Sequence, residues 1–340
     1  MGQRANLAIV GPHGFDLYYS HWCANTLPRD LFWGPDHAEA FIRLQRPAGN
    51  EDLLDTVWAE GGAVIDLPNR TFLFYGGEDI PFDVPLRRLY LKLVAAVWRN
   101  WKIQWAYEGI VDIAEYLSIP RSKVTARSED DGNSSLAPPQ QMDWISCVGS
   151  FQLADGLHLF PLPGLPEDYV LGGPKLADDC HRHQSYSSID LRSWTEEFPR
   201  GGFHVNPELR TVDFWVSSDC PNLFDKAQTL WSGWRVTWHK DNYESQASLT
   251  KGCLIFNEPS RTAMVDALTK MLMVESKPVN MLELADRLAE HDGGTIEINP
   301  YALRDDRLPL SEKVRTEILR KAFSDIDAFE KSHVVQDSGE

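Results

Sequence analysis

"EGGAVIDLPNRTFLFYGG", from Glu60 to Gly77, returns in altered letters as "RGGFHVNPELRTVDFWVS", from Arg200 to Ser217. Both stretches keep Gly-Gly, an apolar run, a polar corner, Arg-Thr and an aromatic pair. Two apolar runs around a turn-forming corner are the pattern of a β-hairpin. Whether a whole folding unit is repeated depends on what surrounds them.

Three further matches occur in the same order. "TLPRDLFWGP" (Thr26 to Pro35) answers to "GLPEDYVLGGP" (Gly164 to Pro174). "VWRNWKIQW" (Val97 to Trp105) answers to "LWSGWRVTW" (Leu230 to Trp238), with all three tryptophans in register. "IVGPHGFDLYYS" answers more loosely to "CVGSFQLADGLHLFPL". The displacement is about 130–140 residues each time, far beyond the 20–50 of solenoid repeats, so a domain-sized module is written twice.

Periodicity gives the content of one copy. "NLAIVGPHGFDLYYS" reads as a hairpin around Gly-Pro-His-Gly. Ala38, Phe41, Ile42 and Gln45 then fall at helical spacing after Pro35 and Asp36. The Glu60–Gly77 hairpin follows, turning at Leu-Pro-Asn-Arg. In "VPLRRLYLKLVAAVW", Leu86, Leu89, Leu93 and Val97 share one helical face, with Arg87, Arg88 and Lys92 largely off it. "WKIQWAY" alternates as a strand. The repeated Leu-Pro-x-Asp phrase reads as a turn between the first hairpin and its helix, with Gly-Pro setting the next corner.

The expected class is therefore α+β: two divergent β-hairpin, helix, β-hairpin, helix, strand modules with mostly antiparallel sheets, followed by a helical C-terminal segment. The boundaries expected are 1–126 and 143–255 for the modules and 127–142 for a linker, "SEDDGNSSLAPPQQ" being polar and rich in Ser and Pro. Residues 256–333 form the helical segment, and 334–340 a disordered tail.

Composition excludes several classes. With 340 residues, 43% hydrophobic and a mean hydropathy of -0.34, the chain is globular, and its apolar runs are too short to cross a bilayer. A net charge of -17 would repel a phosphate backbone or an anionic membrane, so neither nucleic acid nor membrane is an expected partner. Five scattered cysteines without a Cys-x-x-Cys pair, and an N-terminus without a signal-peptide pattern, point to a cytoplasmic protein.

The candidate chemistry is sparse. In "SHWCANT", His21 and Cys23 would project from the same face if the stretch stays extended, and Asp79 could orient the histidine, as a thiol hydrolase needs. Against this, buried cysteine is common and no catalytic signature surrounds the pair. Cys180, His181 and His183 in "DDCHRHQ" offer metal-type donors, but lack the partner pair that zinc requires. Nucleotide, hydrolase and metalloprotease motifs are absent, and no cofactor is expected. Trp98, Trp101 and Trp105 recur in the second copy as Trp231, Trp234 and Trp238 and suit a shared core. Trp22, Trp33 and Trp58 occur in the first copy alone and suit recognition. The favoured function is an acidic protein of inhibitor or immunity type, engaging another protein, a basic one if it complements this charge. The alternative is a thiol-dependent hydrolase acting on a small molecule or amide through His21, Cys23 and Asp79.

Overall fold

The computed structural model of the chain describes residues 3–126, 135–137, 139, 145–274, 282, 287 and 307–337. In the first module, β1 (Ala5–Gly11) and β2 (Gly14–Ser20) form a hairpin. Two helices follow, α1 (Leu27–Asp30) and α2 (Pro35–Leu44), then the short strand β3 (Arg46–Ala48). A second hairpin, β4 (Gly61–Asp66) and β5 (Thr71–Tyr75), leads to α3 (Val84–Val97), β6 (Lys102–Trp105) and α4 (Ile110–Tyr116).

The second module repeats this order. It has β7 (Cys147–Leu153), β8 (Gly156–Leu162), α5 (Pro166–Val170), α6 (Lys175–Asp178), β9 (Ile189–Asp190), β10 (Gly201–Asn206), β11 (Thr211–Val216), α7 (Leu223–Leu230), β12 (Arg235–Trp238) and α8 (Glu244–Leu249). The sheets run β3-β2-β1-β4-β5-β6 and β8-β7-β10-β11-β12, the same order apart from the extra edge strand β3. β9 pairs separately with β13 (Leu254–Ile255). Equivalent residues sit in equivalent registers: Gly61 pairs with Ala5 and Gly201 with Cys147, while Trp105 pairs with Phe74 and Trp238 with Phe214.

Both sheets are mixed. Each hairpin is antiparallel, but β1 lies parallel to β4, and β7 to β10, because a helical crossover returns the chain to the same end of the sheet.

The repeated letters have one physical explanation. A Cβ on Gly62 would meet the Tyr75 ring at 2.8 Å, and one on Gly202 would run first into Gln246 Oε1 and then meet the Trp215 Nε1 at 2.9 Å, so the second glycine makes room for its cross-strand aromatic and, in the second copy, for the glutamine bonded to it. The first glycine of each pair seats the Leu-Pro segment, against Ala24 and Leu27 in one copy and Pro166 in the other. That segment is a short helix, where the sequence reading expected a turn. Its carbonyls are claimed by the repeated tryptophans: Trp98 Nε1 donates to Leu31 O at 3.2 Å, and Trp231 Nε1 to Val170 O at 2.7 Å.

Past the second module, α9 (Arg261–Met273) and α10 (Glu312–Asp337) return to cover α3 of the first. Leu268, Leu272, Leu319, Ala322 and Ile326 are buried in the first core. Each large apolar side chain so buried stabilises by about 1.5–3 kcal/mol, whereas exposed pairs such as Lys92–Glu330 and Arg99–Asp325 contribute about 0–1 kcal/mol each, so apolar packing docks this layer. Most of the expected linker lies outside the described residues, as does most of the stretch 275–306 of the expected helical segment. Of the linker, Leu136 is buried in the second core. The expected tail begins within the last turns of α10 and ends outside the described residues.

Candidate functional site

β2 ends at Ser20, and the chain turns at once into a 3-10 turn over Ala24–Thr26. His21 and Cys23 therefore do not continue the strand that was to align them. Cys23 is 6% exposed within the first core. His21 engages the Tyr19 hydroxyl through Nδ1 at 2.7 Å. Burial first, and then the Arg4 charge, hold its imidazole below the usual histidine range, with Glu60 opposing. Asp79 lies exposed in a turn whose carbonyl accepts Phe82 N and Asp83 N. A buried sulfur beside a histidine engaged elsewhere is a poor arrangement for thiol attack.

The three first-copy tryptophans separate. Trp33 is 8% exposed, edge-on to Phe32 in the core, so it is a packing residue and the expectation of a surface anchor is corrected there. Trp33 also borders a cavity of about 220 Å3 between α2 and the segment leading into α10, where His37 Nε2 meets Leu308 O at 2.8 Å. Trp22 and Trp58 are 54% and 52% exposed.

These two belong to one surface. Trp22 stands edge-on to His21 at 4.7 Å, and His21 bonds Tyr19. Arg46, the cross-strand partner of Tyr19 on β3, lays its guanidinium 4.6 Å from the Tyr19 ring. Arg4 lies equally close to Trp58, and its backbone N–H donates to Glu60. Between these groups runs an open groove of about 430 Å3, lined by Tyr19, Arg46, Glu51, Asp52, Asp55, Trp58 and Lys123 among others.

The loop carrying the acids is held from beneath. Asn6, fully buried in β1, accepts Leu54 N–H through Oδ1 at 2.7 Å and donates to Asp52 O at 3.4 Å. Asp55 Oδ1 accepts the N–H groups of Val57 and Trp58, which fixes the turn that presents the indole. Thr56 N–H donates to Val124 O, tying the loop to the end of the module. Sequence reasoning missed Asn6 and the acids. The available signal was a polar residue inside the apolar strand "ANLAIV", where the second copy has Val148.

In the second module, Cys180 is buried, and burial pushes its thiol up to about 12. His181 meets the His158 ring edge-on at 6.1 Å, and His183 meets Ser135 at 3.2 Å. Among the described residues, no three His, Cys, Asp or Glu groups gather where a metal ion could be held. His158 contacts Asp155 at 3.0 Å and Ser185 at 2.9 Å, the order of a hydrolase relay, but Asp155 is 61% exposed and neither cavity above includes these residues. Ser150 and His204 also touch, at 2.9 Å, with Ser150 sealed in the core and bonded to Phe203 O. Burial holds the His204 imidazole below its ordinary range.

Among the described residues, no helix is long and apolar enough to cross a membrane. Compared with protein-family models, curated proteins and solved structures, the chain matches none.

Proposed function

We propose that the chain is an acidic cytoplasmic binding protein of inhibitor or immunity type, which engages another protein through the first module. One observation carries this reading: Trp22 and Trp58 stand more than half exposed, Trp58 on a loop fixed by buried Asn6 and Trp22 linked to the groove wall through His21 and Tyr19. Exposed aromatics on a preorganised support are the usual anchors of protein interfaces, because they bury large area at little entropic cost. The second module lacks β3 and has Val148 in place of Asn6, so the surface is an elaboration of one copy, as recognition requires and packing does not.

The test is affinity capture with the full chain, comparing wild type, Cys23→Ala and a Trp22→Ala/Trp58→Ala double variant. Each must first show an unchanged far-ultraviolet circular dichroism spectrum and a cooperative thermal transition. Wild type and Cys23→Ala are expected to retain the same stoichiometric partner, and the double variant to bind it at least tenfold more weakly, since two anchors of about 1–2 kcal/mol each are removed. Equal capture by all three variants rejects the surface as the binding site. Loss of biological effect in folded Cys23→Ala revives thiol catalysis.

A further inference from the structure

We infer that the cavity between α2 and the segment leading into α10 binds a small organic carboxylate with an apolar body. It shares none of its described lining residues with the groove beside Trp58, and the inference does not rest on the function proposed above. Its first support is the lining. Trp33, Phe41, Val274, Leu308 and Leu310 give the space of about 220 Å3 an apolar wall. Arg29, Arg307 and Arg315 border the same space, with Asp30 the single acid among its described lining residues, on a molecule of net charge -17. Asp30 is committed locally: Thr26 Oγ1 donates to its Oδ2 at 2.6 Å, and Arg29 Nε to its Oδ1 at 3.1 Å. An anion entering an enclosed space needs charged, forked donors to offset its lost hydration, and guanidinium groups supply them.

The second support is preorganisation. Arg315 Nη1 donates to Met273 O at 3.2 Å and to Val274 O at 3.3 Å, at the end of α9. His37 Nε2 donates to Leu308 O at 2.8 Å on the other side, so both walls are held before a ligand arrives. The third support is the difference between the copies. Arg29, Trp33 and His37 stand where the second copy has Glu167, Leu171 and Leu176. The shared fold therefore requires neither a cation nor a ring at these positions. Packing of the C-terminal layer accounts for the apolar wall, but not for three guanidinium groups around one space.

The experiment uses the full chain with phenylacetate and its uncharged counterpart phenylacetamide. The Trp33 indole N–H is followed by NMR, assigned through Trp33→Phe, together with thermal unfolding. Phenylacetate is expected to shift the Trp33 signal and raise the unfolding temperature, and phenylacetamide to bind about tenfold more weakly. Arg29→Gln and Arg307→Gln should each weaken phenylacetate about tenfold and leave phenylacetamide unchanged. Arg315 is kept, because it ties α10 to the end of α9. The inference is overturned if phenylacetate at millimolar concentration leaves Trp33 unmoved, if the amide binds as tightly as the carboxylate, or if neither arginine variant weakens binding. Should Arg29→Gln fail to fold, Arg307→Gln and the comparison of the two ligands on the wild type decide the matter. Partner capture through Trp22 and Trp58 is read separately, so the two readings stand or fall independently.

Discussion

Asp219 sits where the two modules meet, close enough to Gly109 that a Cβ there would lie 2.7 Å from its Oδ2. Burial pushes its carboxyl up to about 6, while Arg87 pulls the other way. Because the folded pKa lies above the unfolded one, the native state binds the extra proton between about pH 4 and pH 6. Stability from this group is thus full below about pH 4 and is lost as pH rises through 6. Tyr75, Glu167 and Cys220 face the same charge, and each is pushed up chiefly by its own burial. Asp219→Asn removes an ionisation the site disfavours, so it should stabilise the protein at pH 7 by on the order of 1–3 kcal/mol and change little at pH 4. Urea denaturation at the two pH values checks this. A destabilised variant at pH 7 would mean the carboxylate makes a favourable contact that burial does not outweigh. Such a residue is not legible in sequence. "SSDC" gives no sign that a second module will close over it, just as nothing in "DLFWGP" separates buried Trp33 from exposed Trp58.

At the scale of elements, the sequence reading located both hairpins, α2, α3 and β6, because alternation and helical spacing act within a few residues. It mistook the Leu-Pro-x-Asp phrase for a turn. Its C-terminal end accepts a hydrogen bond from an indole 67 residues away in the first copy and 61 in the second, a tie that no local pattern displays. The groove loop is similar: its shape depends on Asn6, 48 residues before Leu54. Replacing Asn6 by valine, the residue of the second copy, leaves Leu54 N–H without its acceptor, and should cost about 1–3 kcal/mol. Hydrogen exchange at Leu54 should accelerate well beyond exchange at β4 and β5. Uniform acceleration across the sheet would instead show Asn6 to be a general core residue, with no particular hold on the loop.

For the molecule as a whole, the two modules meet in a quasi-symmetric way that follows from their shared topology. Three residues after its last strand, each module places an acid against the start of the other's helix. Asp241 accepts Arg87 Nη2 at 2.9 Å at the start of α3, and Glu108 accepts Asn222 N–H at 3.0 Å at the start of α7. The sequence reading put Arg87 largely off the apolar face of α3, which by itself does not tell whether the side chain meets solvent or a second module. The side chain is fully buried, donating also to Pro81 O and Ser217 O. Periodicity reports a helix's own module and is silent about a second one. Removing one member of a buried, hydrogen-bonded ion pair leaves the other uncompensated, at about 3–5 kcal/mol, whereas a partly exposed pair is worth about 0–1 kcal/mol. Arg87→Ala should therefore cost several times more than Arg88→Ala, although both arginines reach Asp241 and Arg88 also pairs with Glu244. Because the lost contacts join the modules, calorimetry should show one unfolding transition in wild type and Arg88→Ala, and two in Arg87→Ala. A lower but still single transition in Arg87→Ala would mean that other contacts suffice to couple the modules. Equal effects of the two substitutions would refute the claim that burial, and not ion pairing as such, makes Arg87 the tie between them.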